Sequence, residues 1–139
     1  MANLTVTVCR LVRATESEIL TRPVGESAAE GAYMRQNATT GYLEKGNATS
    51  TTEIGGIGGL LIDDAATAGL TSTIALPGAV VDLGSALDGL APGASVFLSD
   101  DDATLADAAG TVSRVIGVVE FEFGSTGGDR VLRLGIVGS

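Results

Sequence analysis

The sequence predicts an all-β fold: a single small β-barrel domain with an N-terminal strand or arm and at most one or two short helical turns. Three observations carry that prediction. Along "NLTVTVCRLVR" apolar residues alternate with polar ones, the period of two that half-buries a strand. The centre, "IGGIGGLLIDDAATAGLTSTIALPGAVVDLGSALDGLAPGASVFLS", strings short Val, Leu and Ile runs between Gly, Pro and Asp, the punctuation of small barrels. Finally, 139 residues suit one domain with an ordinary core, and no linker or repeat divides them.

The first strand places Leu4, Val6, Val8 and Val12 on one face, with threonines opposite. From Ala14 to Gly31, "ATESEILTRPVGESAAEG" is polar and broken by Pro23 and Gly25, which predicts a loop with one helical turn near Glu16 to Leu20. Residues 1–30 are therefore an N-terminal strand and polar loop, and residues 31–139 the barrel. "GAYMRQNATTGYLEKGNAT" predicts a hairpin, with strands at Ala32 to Arg35 and Tyr42 to Lys45 joined by the turn "NATTG". "SALDGL", Ser85 to Leu90, predicts one helical turn after a serine cap, ahead of the Pro92-Gly93 corner. Apolar runs at Val96 to Leu98, Val115 to Val119 and Val131 to Val137 predict three strands, the last two joined by "GSTGGD" and the last reaching back to earlier ones.

Composition bounds the function. Hydrophobic residues make up 45% of the chain but aromatic residues only 4%, so small side chains build the core, and subunit association is expected to supplement it. Eight basic residues stand against 17 acidic ones, for a net charge of -9, and Lys45 is the only lysine. Phosphate binding needs clustered Lys and Arg, so direct nucleic-acid binding is not expected. The lone Cys9 permits no intramolecular disulfide and no cysteine-based zinc site. No run of about 18 apolar residues occurs and no leader is evident. A membrane role is therefore not expected, and the chain reads as cytoplasmic or particle-bound. Asn-x-Thr triplets at Asn3, Asn37 and Asn47 reflect turn-rich composition rather than glycosylation.

Histidine is absent, which removes Ser-His-Asp and Cys-His catalysis and imidazole metal sites within one chain. Carboxylates remain: Asp63 with Asp64, the run Asp100, Asp101 and Asp102, and Glu120 with Glu122. Glu120 and Glu122 share a strand face opposite Phe121 and Phe123, as on any solvated strand. Asp63 and Asp64 follow "GLLI" and fit the end of a strand. For Asp100 to Asp102 the functional alternative is a calcium loop, because adjacent carboxylates collect a hard cation. "DDDATLADAAGT" has Leu at its sixth position and Thr at its last, where an EF-hand needs Gly and Glu. The aspartates thus read as an exposed inter-strand loop, with cation binding the weaker alternative and no cofactor expected.

"IGGIGGLLIDD" lacks a dinucleotide fingerprint, since Leu61 stands three beyond Gly58, and it lacks the P-loop Gly-Lys-Ser/Thr. Its glycines permit tight bends or close backbone approach. Cys9, within a strand and without a histidine neighbour, reads as a small buried apolar residue rather than a reactive thiolate.

Several segments carry a family resemblance. The hairpin "GAYMRQNATTGYLEKGNAT", the run "IGGLLIDDAATAG" followed by "STIALPGAVVDLG", and "LAPGASVFLSDDDATLADAAGTVSRVIGVVEF" look like the small capsid decoration, or cement, proteins of tailed bacteriophages. Leu90 to Ser99 matches that family's L-x-x-G-x-x-V-[YF]-L-[ST] segment, and Gly110 to Val118 matches its return strand approximately. The resemblance covers roughly Gly31 to Val119 and rests on turn and core residues. It implies a β-barrel or β-tulip, no enzymatic activity, and a homotrimer bound to the major capsid protein. Its place is then the outer surface of the expanded virion head, which it stabilises against internal DNA pressure. The longer, alternating start of this chain departs from the family.

An alternating first strand offers unpaired backbone groups to a partner's sheet edge. Leu4, Val6, Val8 and Val12, with Arg10 and Arg13, are therefore the candidate contacts with the shell or a neighbouring copy. The alternative is that this strand simply completes the barrel. Other functions in view are a head-fibre base or tail part, and a carboxylate enzyme or calcium-dependent binding module using Asp63, Asp64 or Asp100 to Asp102. Two Tyr, three Phe and no Trp leave few platforms for a sugar.

Overall fold

The computed structural model describes residues 2–63, 65–121 and 130–135. Asp64, Glu122, Phe123, the connector "GSTGGD" and the end of the last expected strand lie outside these residues. The chain is all-β, as expected. Its strands are β1 (Arg10–Arg13), β2 (Ile19–Pro23), β3 (Ala28–Ala29), β4 (Tyr33–Gln36), β5 (Leu43–Lys45), β6 (Gly58–Leu61), β7 (Ala65–Ala66), β8 (Thr71–Ala75), β9 (Val80–Asp82), β10 (Ser95–Leu98), β11 (Leu105–Ala106), β12 (Val115–Phe121) and β13 (Arg130–Leu134). Short helical turns occupy Glu16–Glu18, Thr51–Ile54 (α1) and Gly84–Leu87. That is one more than expected.

Two main sheets, ordered β1-β9-β13-β12-β10-β11 and β2-β8-β6-β4-β5, are accompanied by a separate small pair, β3-β7. The expected hairpin forms, pairing Met34 with Lys45, Arg35 with Glu44 and Gln36 with Leu43. The second sheet is buried on both faces. Tyr33, Leu60 and Ala75 join the larger core with Val81, Leu98 and Leu132, while Met34, Leu61 and Ile74 on the opposite face join a smaller one with Val24, Leu43 and Ala66. Such two-sided burial explains why "GGLLI" reads as a continuous apolar run instead of an alternating one.

The expected barrel does not close, because the ladder of named strands ends at β1 and at β11. The N-terminal segment nonetheless touches both edges. Leu4 N–H donates to the Leu105 carbonyl (2.8 Å) and Asp107 N–H to the Ala2 carbonyl (3.0 Å), whereas Arg10 pairs with Asp82 on β9. Six residues span at most ~21 Å, and five flat inter-strand spacings need about 24 Å. The six-stranded sheet must therefore curl until its edges approach, with residues 4–9 spanning the gap.

The first strand also differs from expectation. Regular pairing is confined to β1 and is interrupted by a bulge between Leu11 and Arg13. Leu4, Val6 and Val8 are half-buried with exposed threonines between them, but Cys9 is buried next in sequence, so the face reverses there and Val12 does not share it. The stretch expected to be a polar loop holds β2, which pairs with β8 over five residues, Ile19 with Ala75 through Pro23 with Thr71. Residues 10–29 thus contribute strands to all three sheets.

Candidate functional site

All four residues of β1 are exposed. Among the described residues it is an edge strand whose only partner is β9, and Leu11 and Val12 are 40% and 37% exposed. Large apolar side chains on an unpaired edge favour a partner surface. Arg10 and Arg13 flank them, and the Arg13 guanidinium lies 3.5 Å from Glu120 Oε1. Glu120 in turn accepts two bonds from Arg133, Nε at 3.1 Å and Nη2 at 3.0 Å. A paired geometry of this kind at a surface contributes about 0.5 kcal/mol and positions the arginines more than it stabilises the fold. Arg10, Arg13 and Arg133 are three of only eight basic residues in a chain of net charge -9, so basic side chains gather at this edge, with Asp82 and Glu120 set against them.

Of the predicted contact residues, then, Arg10, Val12 and Arg13 sit on the exposed edge. Leu4 and Val6 instead pack against the larger core. Leu11 was not singled out by the alternation, although "RLVR", with two adjacent apolar residues between arginines, carries a signal for an exposed edge flanked by charge.

Asp100, Asp101 and Asp102 point to three different segments. Asp100 accepts from Thr111 N–H at 2.7 Å and from Thr111 Oγ1 at 2.8 Å. Asp101 Oδ2 accepts from Asn3 Nδ2 at 2.6 Å, and Asp102 Oδ1 accepts from Asn47 Nδ2 at 2.6 Å. The carboxylates therefore staple the loop rather than converge, and no group of three or more metal-ligating side chains occurs among the described residues. The same bonds occupy the amides of Asn3 and Asn47, while Asn37 caps its own turn by accepting from Thr39 N–H (2.8 Å) and Thr40 N–H (3.1 Å).

Three further carboxylates among the described residues are likewise employed. Asp63 accepts from Thr73 N–H at 2.9 Å. Glu44 and Glu53 flank the largely buried Arg35 at 3.3 and 3.7 Å. Cys9 is 1% exposed; burial, then the charges of Glu30 and Asp82, push its thiol up to about 12, so it is protonated and unreactive at neutral pH. Gly58 and Gly59 lie in β6, where an added Cβ would strike the Tyr33 hydroxyl and the Ala75 carbonyl. Close approach of neighbouring chains accounts for the glycine cluster.

Among the described residues no helix is long and apolar enough to cross a membrane. No family model, curated protein or solved structure matches the chain. What fold and surface define together is a small all-β domain with an exposed edge strand that sets two apolar residues between two arginines.

Proposed function

We propose that this chain is a structural virion protein, a decoration protein that binds the outer surface of an expanded phage head and holds it against internal DNA pressure. The observation that carries the reading is β1: an exposed edge with Leu11 and Val12 between Arg10 and Arg13, on an otherwise acidic chain. The resemblance of Gly31 to Val119 to such proteins supports it, as does the all-β frame. β1 adds to a strand of the major capsid protein, and acidic side chains there meet the arginines. Trimeric copies engage two or three shell subunits at once, so modest interfaces sum through effective concentration. Expanded shells alone present those subunits at the right spacing, and preferential binding then stabilises the expanded state.

The test is composition. Particles from a lysate containing this protein are purified on a density gradient and quantified by mass spectrometry against the major shell protein. Near-stoichiometric copies on filled heads are the expected result. Absence from every particle fraction overturns the reading.

A further inference from the structure

A cavity of about 210 Å³ opens between the two main sheets, lined by Tyr33, Gly58 and Ala75 on one side and by Arg114, Ile116 and Leu134 on the other. Its walls are predominantly apolar, and among the described residues no carboxylate borders it. The Tyr33 hydroxyl does not serve the cavity, because it donates to the Ile54 carbonyl at 2.8 Å. Arg114, exposed at the rim, supplies the only charged side chain of the lining among the described residues. Its positive field reaches the Tyr33 hydroxyl, where it opposes the upward push of burial.

The geometry points to a binding site for a small anion with an apolar body: a short aliphatic chain seated against Tyr33, Ile116 and Leu134, its carboxylate at the Arg114 guanidinium. Size and charge argue for this class together. Drug-sized ligands fill roughly 300 to 1,000 Å³, so this cavity suits a chain of a few carbons. A guanidinium at the mouth of an apolar recess favours a planar carboxylate and disfavours a cation. The acidic net charge does not defeat this, because charges beyond about 8 Å are screened at physiological ionic strength. A free fatty acid and the carboxyl terminus of a peptide share this chemistry. The site is independent of the capsid reading.

Sodium hexanoate titrated into the full-length, ¹⁵N-labelled chain, followed by amide shifts, tests the inference. Saturable shifts at Gly58, Gly59, Ala75 and Gly135 are expected, with affinity falling about tenfold in Arg114→Gln. Hexan-1-ol, which has the chain without the charge, should bind equally to both proteins. A peptide ending in a free leucine carboxylate that binds more tightly than hexanoate identifies a chain end as the natural occupant; weaker peptide binding identifies a free acid. Shifts that are absent, scattered over the surface, or unaffected by Arg114→Gln overturn the proposal.

Discussion

Asp100 grips Thr111 twice, accepting its backbone N–H at 2.7 Å and its hydroxyl at 2.8 Å. These bonds, the backbone one first, hold the Asp100 carboxyl below its ordinary range. A depressed folded value means stabilisation that is present above the unfolded value of about 3.9 and lost as pH falls through the folded value. Melting temperature measured from pH 2 to 6 should therefore decline more steeply below about pH 4 in the wild type than in Asp100→Asn. Parallel curves would remove the Thr111 contact from the acid response. Millimolar calcium should leave both curves unmoved, because each aspartate of the run already serves a different partner.

Gly31 holds the N-terminal segment close. Its φ is +84°, and an added Cβ would collide with Val6 Cγ1. Gly31→Ala combines left-handed backbone strain with displacement of a packed side chain, and is expected to cost about 2 kcal/mol by urea unfolding. Adding Val6→Ala should recover part of that loss in a double-mutant cycle, because the two changes share one contact. Strict additivity would mean that Val6 does not press on Gly31 in solution.

Cys9 should be silent in the fold and reactive outside it. With a folded value of about 12 against an ordinary thiol value of 9.0, the thiol favours folding fully below about pH 9, and that contribution declines as pH rises towards 12. Alkylation by iodoacetamide at pH 8 should proceed only through unfolding, slowing by orders of magnitude relative to the urea-denatured chain. Equal rates would place the thiol at the surface.

How much of this was legible in sequence follows from how each element is stabilised. The hairpin of β4 and β5 was readable because its turn chemistry is local: Asn37 caps Thr39 and Thr40, and Gly41 takes φ +78°. β2 was not, since it is an edge strand, mostly exposed, and its apolar alternation is too weak to register. The Ala-Ala pairs of β3 and β7 carry no pattern at all. α1 does carry a local signal: "STTEI" places Ser50 three residues before Glu53, and Ser50 Oγ accepts from Glu53 N–H at 3.2 Å, the start of a capped turn. At the surface, the arginines of β1 were visible, but the Glu120 to Arg133 pairing that organises them depends on β12 lying beside β13, a long-range fact.

The charge of β1 also decides between partners. Antiparallel pairing of two copies along this edge would set Arg10 of one against Arg13 of the other, and like charges directly opposite are destabilising. The edge is therefore built against symmetric self-pairing and for an acidic strand. Removing residues 2–13 would confound the matter, since those residues bridge both edges of the sheet. Point changes avoid this. Leu11→Ser with Val12→Ser alters two exposed side chains and is expected to cost only about 1 kcal/mol of fold stability. On the decoration reading it should lower copies per head about tenfold or more, as loss of a hydrophobic contact centre does, and return the heat tolerance of heads to that of bare shells. Arg10→Glu with Arg13→Glu should also lose binding, most severely at low salt, where repulsion from an acidic strand is least screened. Unchanged occupancy and heat survival in both variants would exclude β1 as the shell contact and move the interface to another face of the domain.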